Sequence, residues 1–326
     1  MTADVLCLRP EADFHRLGVV PSSSLKVAYR GPDDPDVAAL MKQARALIIP
    51  AVGPKLSGEL FDGTSIKFVQ VTGAGVDRLD LSLLKRLGIP VANVPGGSNS
   101  ALAEYVVTTA SVLLRRFLWA DAEIRAGQYA DFRARMISEN LAGLDGLTVG
   151  IVGLGVIGLA VAEAFHHRGC QICYYDPAPR DPRVAEALTA KSVSLEELLK
   201  ISDVITLHVP LLPTTQGLIG ARQLAAMKPV AILIQASRGG IVDETALAHS
   251  LASGHLGGAA IDVYSTEPPP PDHPLLALRG EAARRILLTP HIAGATRQSS
   301  EFLFRSAWRN VERVLLERAA PLYLVQ

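Results

Sequence analysis

The chain has 326 residues, beyond the size at which one hydrophobic core stops growing, so two domains are expected. Lys plus Arg equals Asp plus Glu at 32 each, and this formal charge of +0 removes the electrostatic case for nucleic acid or an anionic membrane as partner. No apolar run approaches about 18 residues, and the N-terminus lacks a basic stretch followed by an apolar one, so no membrane association and a cytoplasmic location are expected. The odd set Cys7, Cys170 and Cys173 has no second Cys-x-x-Cys to complete a metal site and reads as reduced core thiols.

The first hundred residues alternate apolar runs (Val5 to Leu8, Lys26 to Tyr29, Ala46 to Ile49, Lys67 to Val71, Pro90 to Val94) with helix-length segments such as Pro35 to Ala44 and Asp80 to Leu87. This βα repeat predicts a parallel sheet. Ser100 then caps a long apolar helix from Ala101 to about Trp119, whose burial is assigned to the other domain or a second subunit. From Leu147 a second βα series begins: Thr148 to Val152, Ile172 to Tyr175, a short segment at Val193, Val204 to His208, Ala231 to Ala236, Ala259 to Val263 and Ile286 to Thr289. It is read as six strands of a doubly wound sheet. A final helix, roughly Gln298 to Arg318, leads to a strand-like tail, Pro321 to Gln326, expected to return to the first domain. The domains expected are 1–98 plus 292–326, discontinuous, and 99–291, inserted, with a ligand cleft between them at the carboxyl ends of the strands.

The second series opens on Gly153-Leu154-Gly155-Val156-Ile157-Gly158, after an apolar strand and before an apolar helix, with Asp176 following 18 positions after Gly158. Gly153 permits a tight turn, Gly155 lets the backbone approach a pyrophosphate beside the helix N-terminus, and Gly158 lets helix and strand pack closely. A dinucleotide is therefore expected, held near Val156 and Ile157 as well. Asp176, closing the second strand, accepts from ribose hydroxyls and repels a 2′-phosphate, which favours NAD (NADH) over NADP. Arg180 reads as a solvated surface residue.

Three later strands end in groups that carry chemistry: Ala236-Ser237-Arg238-Gly239 after one, Asp262-Val263-Tyr264 with Glu267-Pro268 after the next, and Thr289-Pro290-His291 followed by Gly294 after the last. An arginine leaving a strand before a glycine pair can grip a carboxylate with two parallel N–H bonds. A histidine is the side chain nearest titration at neutral pH, and a carboxylate beside it favours imidazolium and fixes its orientation. The turn Gly73-Ala74-Gly75-Val76 offers N–H groups as a small anion nest. Asp243 is read as a helix cap and Asp203 as a strand-lead residue. The other histidines, among them His273, read as structural or exposed.

These segments, with Asn99-Ser100-Ala101-Leu102-Ala103-Glu104 and Leu207-His208-Val209-Pro210, resemble the D-isomer-specific 2-hydroxyacid dehydrogenase family almost end to end. The resemblance implies an α/β fold of two Rossmann-like doubly wound domains, a flavodoxin-like substrate domain with an inserted NAD-binding Rossmann domain carrying dimerisation helices. It implies NAD-dependent hydride transfer between a D-2-hydroxy acid and a 2-oxo acid, with Arg238 binding the substrate carboxylate, His291 as acid/base and Glu267 orienting it. It places Ala74, Gly75 and Val76 at the substrate, Asp262 near the nicotinamide, and His208, Val209, Pro210 and Thr215 along the cofactor with Ala236, Ser237, Arg238, His291 and Gly294. A homodimer is implied, with Ala130 to Met136 reaching the neighbouring site.

Departures narrow the substrate. Ile49 to Gly53 lacks the Ser/Arg pattern of phosphoglycerate-specific relatives, leaving Lys55 as a substitute cation, and Glu267 stands where formate-specific relatives have Gln. Gln235 stands where the family usually has Asn. The chain stops where the core family fold stops, so feedback through an added regulatory domain is not expected. Glyoxylate, hydroxypyruvate, pyruvate or a longer 2-oxo acid remain as substrates. An NAD-sensing corepressor on the same fold, and a dehydrogenase acting on phosphite, are the other readings.

Overall fold

The computed structural model describes residues 3–178 and 180–325. The chain divides into two compact units, Met1–Ser98 with Ala295–Gln326, and Asn99–Gly294. Ile292, Ala293 and Gly294, expected with the first domain, belong to the second, because the Asp262 carboxylate accepts from the Ile292 and Ala293 N–H groups at 2.8 Å each.

The first unit is built on five parallel strands in the order β2-β1-β3-β4-β5: β1 (Val5–Cys7), β2 (Val27–Tyr29), β3 (Ala46–Ile49), β4 (Phe68–Val71) and β5 (Val91–Ala92). Alternation along the strands sends successive residues to opposite faces. Leu47 and Ile49 of β3 thus join Val37 and Met41 of α2 (Val37–Met41) and Leu84 of α3 (Leu81–Arg86). Ala46 and Ile48 point the other way, with Phe14 of α1 (Glu11–His15) and with Phe304, Trp308 and Val311 of the last helix, Arg297–Leu315. That helix is capped by Thr296, whose side chain accepts from the Ser299 N–H, and it ends three residues short of the expected Arg318. The tail does return to this sheet, but as an isolated antiparallel bridge between Leu324 and Ala92 rather than a strand.

The second unit carries seven parallel strands in the order β12-β11-β10-β9-β6-β7-β8: β6 (Thr148–Val152), β7 (Gln171–Tyr175), β8 (Lys191–Ser192), β9 (Val204–Leu207), β10 (Ile232–Gln235), β11 (Gly258–Ile261) and β12 (Ile286–Leu288). The count exceeds the expected six because Lys191 and Ser192, just before Val193, pair with Cys173 and Tyr174. The order reverses between β6 and β9, the point at which open α/β sheets leave a crevice at their carboxyl edge.

The helix expected from Ala101 to Trp119 is two helices. α4 runs Asn99–Leu114 and α5 Phe117–Arg125, separated at Arg116, whose φ of 50° is left-handed. The Arg116 side chain turns back over the Trp119 ring and pairs with Glu139, at the end of α6 (Tyr129–Ser138). The apolar face of α4 is buried within its own unit: Ala103, Val106, Ala110 and Leu113 pack with Val161 and Phe165 of α7 (Val156–His166) and with Ile151 and Ile234 of the sheet. Neither the other unit nor a second subunit is needed for it. The remaining helices are α8 (Pro182–Ala187), α9 (Leu195–Ile201), α10 (Ala221–Ala226), α11 (Glu244–Ala252) and α12 (Gly280–Arg284), with α13 the final one described above. The three cysteines are free and buried. Among the described residues no helix is long and apolar enough to cross a membrane, and no cluster of ligating side chains is arranged for a metal ion.

Candidate active site

At the reversal point, β6 runs into Gly153, which takes φ 95° and donates its N–H to the Tyr175 carbonyl at 2.8 Å. A Cβ on Gly153 would lie 2.7 Å from the His208 carbonyl oxygen, and one on Gly158 would lie 1.9 Å from the Gly153 oxygen. Both positions therefore exclude a side chain because backbone already occupies the space. Gly155 differs. It caps α7, and a Cβ there would meet nothing within 4 Å. Its openness at a helix N-terminus, beside exposed Val156, is what close approach of a phosphate requires.

Asp176 ends β7 with its side chain only 4% exposed. It accepts from the Leu154 N–H at 2.8 Å and the Ala178 N–H at 2.9 Å, which lock it to the glycine turn. Arg180 is not a solvated bystander: it donates to the same carboxylate from Nε at 2.7 Å and Nη2 at 2.6 Å. Across the crevice, His208 is half-buried and its Nε2 pairs with Thr206 Oγ1 at 2.9 Å. Burial drives the imidazole down to about 3, so it is neutral. The Val209 to Thr215 loop is closed by Thr215, whose hydroxyl donates to the Pro210 carbonyl at 2.6 Å and accepts from the Leu212 N–H at 2.8 Å.

Three neighbouring strands, β10, β11 and β12, deliver Arg238, Glu267 and His291 beyond their carboxyl ends. Arg238 is half-buried and Nη1 donates to the Ser237 carbonyl at 2.7 Å. Gln235, uninterpreted in the sequence, shapes this turn: its Nε2 donates to the Arg238 carbonyl at 2.8 Å and its Oε1 accepts from Ser237 Oγ at 2.7 Å, beside Ala236. Gly239 follows, where a Cβ would sit 1.8 Å from the Tyr264 oxygen. The arginine turn is thereby packed directly on the segment that leads to Glu267.

His291 Nδ1 lies 2.9 Å from Glu267 Oε2 and 3.2 Å from Oε1, while Oε1 also accepts from the Tyr264 N–H at 3.1 Å. A carboxylate can only accept here, so Nδ1 carries a proton and Nε2 is the free end of the ring. The histidine backbone adopts φ 55°, unusual for a residue with a side chain. Asp262 fixes it. The Asp262 carbonyl accepts from the His291 N–H at 2.8 Å, and its carboxylate takes the Ile292 and Ala293 N–H groups plus Thr289 Oγ1 at 2.6 Å. Since Thr289 donates there, it accepts from the Tyr105 hydroxyl of α4 at 2.7 Å. Burial pushes that phenol up to about 12. Asp262 thus anchors the histidine turn, and Tyr105 is a contributor that the sequence did not signal. Gly294 closes the turn.

In the first unit, the Gly73 to Val76 turn follows β4. Gly73 lies against Ala51, whose Cβ is 2.7 Å from where a glycine Cβ would stand, and the Ala74 carbonyl accepts from Asn93 Nδ2 at 2.7 Å. No acceptor among the described residues faces the Ala74, Gly75 and Val76 N–H groups. Lys55 is exposed. A different cation, Arg78, is only 3% exposed and donates to the Pro54 carbonyl at 2.8 Å and the Pro50 carbonyl at 3.1 Å. Burial lowers its pKa. It ties the loop after β3 to the turn after β4, and only its burial, invisible in sequence, marks it.

Residues 107–293 match the family model described as D-isomer specific 2-hydroxyacid dehydrogenase, NAD binding domain. The chain belongs to that family. A glyoxylate reductase of Thermococcus litoralis is 34% identical over 87% of this chain and 85% of its own length. A D-3-phosphoglycerate dehydrogenase of Archaeoglobus fulgidus is 38% identical over 72% of this chain but only 42% of its own length, so the match spans less than half of that relative. A solved structure from Thermus thermophilus, 34% identical, superposes with TM-score 0.83 over 99% of both chains. The family fixes the class: an NAD-dependent oxidoreductase acting on 2-hydroxy or 2-oxo acids, with NAD(H) bound by the Rossmann domain.

Proposed function

We propose that this dehydrogenase reduces a small, unphosphorylated 2-oxo acid, glyoxylate or hydroxypyruvate first among them, using NADH in preference to NADPH. The observation that carries the reading is the Glu267–His291 pair at 2.9 Å, held on a turn that Asp262 locks. NAD(H) supplies the hydride. The protein's part is to hold the acceptor and deliver the proton: Arg238 grips the substrate carboxylate and helps polarise the adjacent carbonyl. In the first unit, the N–H groups of Ala74, Gly75 and Val76 form a small nest suited to a carboxylate. His291 Nε2 gives its proton to the carbonyl oxygen, and Glu267 stabilises the imidazolium until that moment.

The cofactor preference rests on Asp176, whose negative charge at the end of β7 suits ribose hydroxyls and opposes a 2′-phosphate. Small substrates are favoured by the two relatives' contrast. The loop after β3 offers Ala51, Val52 and Gly53, and its one surface cation, Lys55, points to solvent. In solution we expect a cytoplasmic homodimer. With α4 satisfied internally, the case for it moves to α5 and α6, which leave Phe117, Leu118, Ile124, Tyr129 and Ile137 each about half exposed.

The decisive measurement is NADH oxidation with glyoxylate, hydroxypyruvate, pyruvate, longer 2-oxo acids and phosphohydroxypyruvate, repeated with NADPH. Highest kcat/KM on a small unphosphorylated acid with NADH supports the reading; highest kcat/KM on the phosphorylated acid, or a preference for NADPH, overturns it. A monomeric mass at micromolar concentration overturns the dimer.

A further inference from the structure

Glu267 reaches His291 from residues 265–268, a stretch that belongs to no helix or strand. A group that must hold an imidazole to within a few tenths of an ångström cannot depend on an untethered loop. The tether is Glu244, the first residue of α11. Its Oε1 accepts from the Ser265 N–H at 2.8 Å and its Oε2 from Ser265 Oγ at 2.5 Å. The same Oε2 accepts from His273 Nε2 at 3.0 Å. His273 Nδ1 accepts the Leu275 N–H at 3.3 Å, so the ring proton resides on Nε2 and a neutral imidazole suffices as donor.

The His273 side chain, expected to be structural or exposed, is 5% exposed and stands edge-on to the Tyr264 ring at 5.8 Å. Tyr264 in turn donates its N–H to Glu267 and its hydroxyl to the Thr289 carbonyl at 3.0 Å, two residues before His291. Burial raises the Tyr264 phenol to about 12, and the nearby Asp262, Glu267 and Glu244 carboxylates push the same way, which places all of them around one ring. Two separate chain segments, at Ser265 and at His273, therefore meet on the Glu244 carboxylate through charge-assisted hydrogen bonds.

We infer that Glu244 and His273 are positioning residues for the hydride-transfer site, a clamp that sets the Glu267 carboxylate against His291 Nδ1. Neither touches the reacting atoms. The inference rests on reading His291 as proton carrier and Glu267 as its orienting partner.

The test uses the full chain: Glu244→Ala, Glu244→Gln and His273→Ala, each alone and combined with Glu267→Gln, with kcat, KM, NADH affinity by fluorescence and the melting temperature recorded for each. Glu244→Ala is expected to lower kcat by roughly 10- to 100-fold while NADH affinity and KM stay within a few-fold, since misplacement at the chemistry costs turnover rather than binding. Glu244→Gln, which keeps an acceptor for the Ser265 N–H, recovers most of the loss. In the Glu267→Gln background the Glu244 change costs nothing further, because its effect passes through Glu267. Fully additive losses, NADH affinity falling in step with kcat, or unchanged kcat in Glu244→Ala overturn the clamp. Where Glu244→Ala does not fold, Glu244→Gln and His273→Ala carry the same cycle. His291→Ala measured alongside separates the two ideas: if it keeps turnover, the reading of the site fails and the clamp with it; if it is inactive while the clamp variants are unaffected, the clamp alone fails.

Discussion

At the strand ends of the seven-stranded sheet, carboxylates make the ties: Asp262 holds the His291 turn, Glu267 the ring and Glu244 the loop behind Glu267. At the Gly73 to Val76 turn of the five-stranded sheet the ties run from Asn93 and Arg78 to main-chain carbonyls, and among the described residues no acceptor faces the N–H groups of Ala74, Gly75 and Val76. The first arrangement fixes the atoms proposed to transfer a proton, where small displacements are costly. The second leaves a backbone cradle whose shape depends on adjoining loops, which suits a surface that chooses among acids rather than one that performs the chemistry. Proton transfer and substrate choice should therefore be separable by mutation.

The largest effect is expected at His291. His291→Ala should keep NADH binding, followed by fluorescence, and lose roughly 100-fold or more in turnover. Equal turnover would remove the contrast between the two regions altogether. Next comes the glycine turn: Gly158→Ala forces a Cβ into the Gly153 carbonyl, at a cost of about 1–3 kcal/mol, and should weaken NADH binding strongly. Gly155→Ala, facing open space, should leave the melting temperature unchanged and weaken NADH binding alone.

A pH effect should follow from His208. Its pKa falls from 6.5 to about 3 on burial, so the unfolded chain binds the proton more readily, and the neutral group's contribution is whole above 6.5 and lost as pH falls toward about 3. Between 6.5 and about 5 this amounts to about 2 kcal/mol. Denaturant titrations of His208→Gln should show a shallower decline over that window than the parent. A parallel decline would mean that the histidine is not the source.

Smaller effects probe the cradle and the cofactor edge. Arg78→Ala leaves the Pro50 and Pro54 carbonyls without their donor, and should raise KM for the 2-oxo acid several-fold with kcat nearly unchanged. A fall in kcat alone would show that the cradle takes part in the chemistry. Arg180→Ala frees the Asp176 carboxylate of its cation, so the ratio of kcat/KM with NADH to that with NADPH should rise a few-fold. A fall in that ratio would assign Asp176 no part in cofactor choice.

Much of the candidate site is legible in the sequence, because its chemistry-bearing residues sit just past strands and strands announce themselves as short apolar runs. Arg238, Glu267 and His291 follow three such runs, and a parallel sheet delivers them to one edge. The parts that escaped reading depend on partners far apart in sequence. Glu244 meets Ser265 and His273, Tyr105 meets Thr289, and Arg78 reaches Pro50; nothing in local pattern distinguishes these from surface residues. Arg180 was missed because its relation to Asp176 depends on where the side chain turns. The break at Arg116 escaped for a similar reason: the run from Ala101 is apolar on both sides of it, and the left-handed turn answers to Trp119 and Glu139.

The sequence by itself determined the α/β class, the dinucleotide turn, the family and the residues able to carry the reaction, since periodicity, glycine placement and side-chain chemistry are local properties. Only the tertiary structure decided that α4 is buried within its own unit, that the buried Asp262 carboxylate anchors the His291 turn and that Asp176 is shared with Arg180. Burial and hydrogen-bond partnership arise from which distant segments meet, and that depends on how the sheets close around their cores.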